Sequence, residues 1–166
     1  MYQSVQAFME DWKFEAAKTK SVLESLTDAS LSYQSVTNQR SIGRVAWHTV
    51  TSVYEFMAPT GADLGVSLNL NQVPDTAAAI PETYTRLCDA GMSIVSQWDD
   101  SFLQETRNYW GEEWTIGFAM LSMIKHEIHH RGQLTALMRQ AGIKPPVVYG
   151  PAQEDWASFG MEAPVV

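Results

Sequence analysis

Four stretches of helical periodicity, with no convincing run of period-2 alternation, confine this chain to an all-α fold. From Ser4 to about Leu26, Val5, Phe8, Met9, Trp12, Ala16, Val22, Leu23 and Leu26 recur at helical spacing, with Glu10, Asp11, Lys13 and Lys18 between them. The segment TDASLSYQSVTNQR is rich in turn and capping residues and predicts a loop. It ends at Ser41, the N-cap of a second helix that runs to about Met57. Pro59 and Gly61 stop that helix, and GADLGVSLNLNQVPD lacks regular apolar spacing, which predicts an irregular crossover. Pro81, followed by Glu82, suits the first turn of a third helix carrying Tyr84, Leu87, Cys88, Met92, Ile94, Val95 and Trp98. DDSFLQETRNYWGEEW is a polar link with room for a short turn, and Thr115 caps a fourth helix from Ile116. Gly142 terminates it, Pro145 and Pro146 prevent its continuation, and the last twenty residues form a packed tail. Residues 1–166 thus read as one four-helix-bundle domain, with a second connection long enough for a crossover.

The totals narrow the functions open to such a bundle. With 45% hydrophobic and 18% charged residues in 166, the chain is ordinary globular material for one domain. A net charge of -8, with no concentration of Lys and Arg, removes the electrostatic basis for binding nucleic acid. No apolar stretch is long enough to span a membrane, and the start, MYQSVQAFMEDWK, lacks the basic head and apolar run of a secretory signal. A cytoplasmic protein is expected. Cys88 is the only cysteine, so any metal must rely on nitrogen and oxygen ligands. A lone Cys of this kind reads as a small buried hydrophobe rather than a nucleophile. The six tryptophans and eight methionines suit core or pocket walls without identifying a ligand.

Three of the four histidines lie in HEIHHRGQL, residues 126 to 134, in the middle of the fourth helix. Positions four apart are separated by roughly 40 degrees around a helix axis, so His126 and His130 stack on one face while His129 points elsewhere. That face also carries Ala119, Met123, Leu134, Leu137 and Ala141, the side that looks into the bundle. Two imidazoles side by side in an apolar cleft chelate a borderline ion such as zinc or nickel. The remaining histidine, His48, sits mid-helix in SIGRVAWHTV, toward the edge of an arc through Ile42, Val45, Ala46, Thr49, Val53 and Phe56. Spacing alone leaves it equally open to solvent or to the same cleft.

The stretch HEIHHRGQLTALMRQAGIKPPVVYG resembles the C-terminal signature of DinB-like (DNA-damage-inducible, YfiT-like) proteins, in which HxxHHRGQ is followed by an arginine, a glycine and paired prolines. SIGRVAWH resembles the second-helix segment of that family, and the helix order agrees over nearly the whole chain. The resemblance implies a metal triad of His48, His126 and His130, holding one divalent ion with a further coordination position open. It also implies chemistry on a small-molecule substrate. Relatives of the family are thiol-dependent S-transferases and isomerases that use low-molecular-weight thiols such as bacillithiol or mycothiol, with a water or thiol at the metal as the reactive species. Homodimerisation is compatible with the resemblance.

Two other readings stand beside the transferase. One is a non-enzymatic stress-response or interaction module in which the ion joins helices two and four. The other follows from HEIHH, which satisfies HExxH, with Glu127 activating water in a metalloprotease. The metzincin continuation, however, needs Gly and His where Gln133 and Ala136 stand. Glu127 lies nearer the centre of the apolar face than His126, which favours a buried, hydrogen-bonded role. Arg131 and Gln133 suit structural pairing at least as well as substrate contact.

Overall fold

The computed structural model describes residues 1–37 and 39–165; Asn38 of the expected loop and Val166 of the tail lie outside them. Four α-helices dominate: α1 (Val5–Glu24), α2 (Ile42–Met57), α3 (Ala79–Val95) and α4 (Ile116–Gln140). The expected caps form. Ser41 Oγ accepts from the Arg44 amide at 3.1 Å and Thr115 Oγ1 from the Phe118 amide at 3.3 Å, each occupying a helical N–H that has no partner within the helix. Gly142 ends α4 at φ 74, a left-handed conformation that costs glycine little. The third helix begins two residues before Pro81 and stops at Val95, short of Trp98.

α1 packs on α3 and α4, and α2 packs on the same two helices, so α1 and α2 occupy diagonal corners. The connection from α2 to α3 is the crossover the sequence predicts. It runs back along α2, where its carbonyls at Leu70 and Asn69 accept from Arg44 Nη1 (2.7 Å) and Trp47 Nε1 (2.9 Å). At its far end the Ala77 amide donates to Asp28 Oδ1 at 2.6 Å, and three residues on from Asp28 the Leu31 carbonyl accepts from the Gly43 amide of α2 at 2.9 Å, so α3 starts where α2 starts and the two helices run parallel. Likewise Tyr2 meets Gly117, and Glu15 and Thr19 meet Arg131, so α1 and α4 run parallel.

The link between α3 and α4 departs from expectation. Thr106–Tyr109 (β1) pairs antiparallel with Glu112–Thr115 (β2), from Thr106 opposite Thr115 to Tyr109 opposite Glu112. Its two-residue turn, Trp110 (φ 52) and Gly111 (φ 93), holds both residues in the left-handed region, which matches the twist of paired strands. Asn108 Oδ1 accepts from the Gly111 amide at 3.1 Å, and Tyr109 OH anchors the hairpin to α2 by donating to the Phe56 carbonyl at 3.2 Å.

Gly91, in the middle of α3, lies against Trp12, which is wholly buried in α1; a Cβ there would sit 2.4 Å from Cη2 of the indole. Gly91→Ala gains about 1 kcal/mol of helix propensity, but forcing the ring aside costs about 1–3 kcal/mol. The variant is expected to be no more stable than the wild type in urea denaturation; a gain of about 1 kcal/mol, the full helix propensity, would show that α1 and α3 are not in this contact.

Candidate metal centre

α2 and α4 bring His48, His126 and His130 together, with one nitrogen of each within 4.8 Å of the others. His126 Nε2 is the middle atom, 3.2 Å from His48 Nε2 and 3.1 Å from His130 Nε2. A metal–nitrogen distance of about 2.1 Å separates two ligand nitrogens by roughly 3.0 Å at a right angle and roughly 3.4 Å at the tetrahedral angle. These two spacings fall between the limits, and the remaining pair, His48 and His130, lies within 4.8 Å, so the cluster has the dimensions of a candidate site for one ion. Spacing could not place His48; the structure turns it into the cleft.

Hydrogen bonds set which nitrogen is free. Gln133 Oε1 lies 2.7 Å from His130 Nδ1, and an amide oxygen can only accept, so the ring proton is on Nδ1 and the Nε2 lone pair faces the cluster. The amide nitrogen of the same side chain donates to His129 Nε2 at 3.0 Å. Gln133 therefore orients a candidate ligand, a role that a residue beyond the ligands commonly fills in metal sites. His129 is not in the cluster.

Burial, then the charges of the neighbouring rings, pulls the His48 and His126 pKa values down to about 4; burial also lowers that of His130. All three are neutral near pH 7, the form that binds metal. Because these folded-state values lie below the ordinary 6.5, the unfolded chain binds more protons in the window between 6.5 and about 4. Stability without metal is therefore present above that window and falls as the pH drops through it. Thermal unfolding in chelator should show this decline, and His126→Gln should flatten it. Equal slopes for both proteins would contradict the assignment. Glu127, whose pKa burial raises, contributes an opposite slope that is common to both.

Glu127 itself is wholly buried, and its Oε1 accepts from Tyr84 OH of α3 at 2.6 Å, as its helical direction predicts. It points to α3, whereas the histidines meet α2, which removes the water-activating role of an HExxH glutamate. Arg131, 2% exposed, donates to Glu15 and Thr19 of α1 and to Tyr149 of the tail; it holds elements together and does not reach the cleft. Cys88 is buried, as expected.

His48 and His126 line a cleft of about 600 Å³ whose other walls are Phe56 of α2 and Trp110 and Trp114 of the hairpin, with Glu55, Ser122 and Lys125 as its polar groups. The sequence assigns its tryptophans to core or pocket walls without saying which; the one local sign of the turn that presents Trp110 and Trp114 is Gly111, inside an apparently polar link. A larger cavity, about 870 Å³ between α1 and α3, contains none of the three histidines.

A four-helix bundle with a crossover and a three-imidazole cluster between its second and fourth helices defines the class. The sequence profile of the DinB family matches residues 1–164, and the chain belongs to that family. It is 39% identical over 165 residues to YrdA of Bacillus subtilis (strain 168), covering 99% of both proteins. A crystal structure of a DinB-like protein from Bacillus cereus ATCC 10987 is similar at a TM-score of 0.85 and 35% identity, over 90% of this chain and 100% of that one. A second, the DinB-like protein YjoA from Bacillus subtilis, shares the fold at a TM-score of 0.68 and 18% identity, over 86% of this chain and 96% of that one. No described helix is long and apolar enough to cross a membrane.

Proposed function

We propose that the protein is a metal-dependent enzyme that transfers a low-molecular-weight thiol to a small electrophilic substrate. The observation that carries this reading is the one-sided cluster: three imidazoles converge, and two of them line a cleft large enough for a small molecule. His48, His126 and His130 would hold the ion, with zinc and nickel best suited to an all-nitrogen set. When bound, such an ion supplies Lewis acidity that stabilises a thiolate near neutral pH or polarises a carbonyl. Gln133 fixes the ring of His130, and Phe56, Trp110 and Trp114 line the cleft beside the cluster. In the reaction a C–S bond forms, the leaving group departs with its electron pair, and the thiol proton passes to solvent.

The test is to load the purified protein with zinc or nickel and incubate it with a low-molecular-weight thiol and an alkylating electrophile. The expected result is consumption of both in equal amounts, lost on chelation and in His126→Ala. Failure of any thiol to react with the fully loaded protein would overturn the proposal. The same geometry supports a second reading, an ion that only joins α2 to α4, because the ligands come from both helices. In that case chelation lowers stability while thiols leave the metal untouched.

A further inference from the structure

Trp110 breaks a local rule. The first position of a two-residue turn with both φ angles positive ordinarily takes Asn, Asp or Gly, because a large side chain at φ 52 crowds its own backbone. Trp110 is also 63% exposed, so burial does not offset that strain. Strained backbone of this kind collects at binding sites, where the position of the side chain is what matters. Here the hairpin is fixed from below: Tyr109, 1% exposed, bonds the Phe56 carbonyl, and its ring stacks on Trp114 at 5.6 Å between centroids. From this base the Trp110 indole stands edge-on to Phe56 at 5.0 Å and to Trp114 at 5.7 Å. Phe56 in turn lies 5.7 Å from the His126 ring. The result is a continuous aromatic wall running from a candidate ligand out to an exposed indole at the hairpin tip.

We infer that Trp110 is a specificity-determining residue, and that the substrate class is a small molecule joining a metal-ligating head to an aromatic group that packs on this wall. The inference rests on the proposed open position at the histidines and names what occupies the cleft beside it. Edge-to-face and offset contacts with rings favour an aromatic group over an alkyl group of similar polarity. The cleft, about 600 Å³, has room for a ring alongside the head.

The experiment loads the protein with cobalt(II) and follows the visible metal absorption while titrating phenylmethanethiol or ethanethiol. Phenylmethanethiol is expected to bind more tightly. Trp110→Ala should weaken phenylmethanethiol by about tenfold and leave ethanethiol essentially unchanged. Trp110→Gly, which also relieves the left-handed backbone, should lose the same selectivity with an unfolding temperature equal to or above that of the wild type. Trp110→Phe should retain part of the preference. Equal weakening of both thiols by Trp110→Ala, or of neither, would overturn this inference alone. No spectral response to either thiol in the loaded wild type would overturn the proposed function and this inference with it.

Discussion

Replacing His126 with alanine is expected to weaken binding of a divalent ion by at least about a hundredfold. Structural zinc sites bind with about 10–16 kcal/mol, and sharing this among four ligands gives roughly 3 kcal/mol for each. His126 is the sharpest choice because its Nε2 lies 3.2 Å from His48 and 3.1 Å from His130, whereas the other two make one such approach each. The fold should survive. His126 is only half-buried, and cutting a neutral ring back to alanine strands no buried charge. Gln133→Ala should cost less, about tenfold, because the ligating nitrogen would stay and only the hydrogen bond that His130 Nδ1 donates to Gln133 Oε1 is lost. Competition with a chromophoric chelator would rank the two. A Gln133 effect equal to or larger than that of His126 would show that the cluster is not where the ion sits.

The largest effect on folding is expected from Arg131→Ala. Its guanidinium, 2% exposed, donates to the Glu15 carbonyl at 3.0 Å, to Thr19 Oγ1 at 3.1 Å, to the Glu15 carboxylate at 2.5 Å and to Tyr149 OH. It also lies over the Tyr149 ring, 5.0 Å from the centroid. Removing it leaves the Glu15 carboxylate, 12% exposed, without its counter-charge and opens a gap between α1 and α4. Breaking a buried pair from one side costs about 3–5 kcal/mol, a large part of the roughly 5–15 kcal/mol that holds a typical domain together. Urea denaturation should show this loss. Arg131→Lys should recover little, since a lysine cannot present the same fork of donors. A cost under about 1 kcal/mol would mean that this network is held by water and not by the protein.

These two predictions separate what the sequence made legible from what it did not. The bundle was legible because its ends are chemically marked: Ser41 and Thr115 cap, Gly142 and the prolines stop, and the apolar faces keep helical spacing between them. The crossover was legible as a long irregular segment, although its path back along α2 depends on Arg44 and Trp47 meeting carbonyls more than twenty residues away. The hairpin was hidden. Its strands are four residues each, with half of those residues exposed and three charged, and its turn uses Trp110–Gly111 where Asn-Gly would have signalled one. In the site, His126 and His130 followed from i, i+4 geometry, but His48 stood at the edge of its apolar arc, and only the packing of α2 against α4 decides where an edge residue faces. The burial of Glu127 could be read from its direction on the helix; its partner Tyr84 could not. Gln133 and Arg131 sit two residues apart in one motif and serve different ends: Gln133 orients a candidate ligand in its own helix, whereas Arg131 joins α1 and the tail, partners that come from distant parts of the chain.

X-ray absorption at the metal edge of the loaded protein tests the central claim most directly. Three imidazole nitrogens at about 2.0–2.1 Å, with a further ligand that changes to sulfur on adding a thiol, is the predicted result. A shell with fewer than two imidazoles, or one closed by four protein ligands and indifferent to thiol, would contradict it.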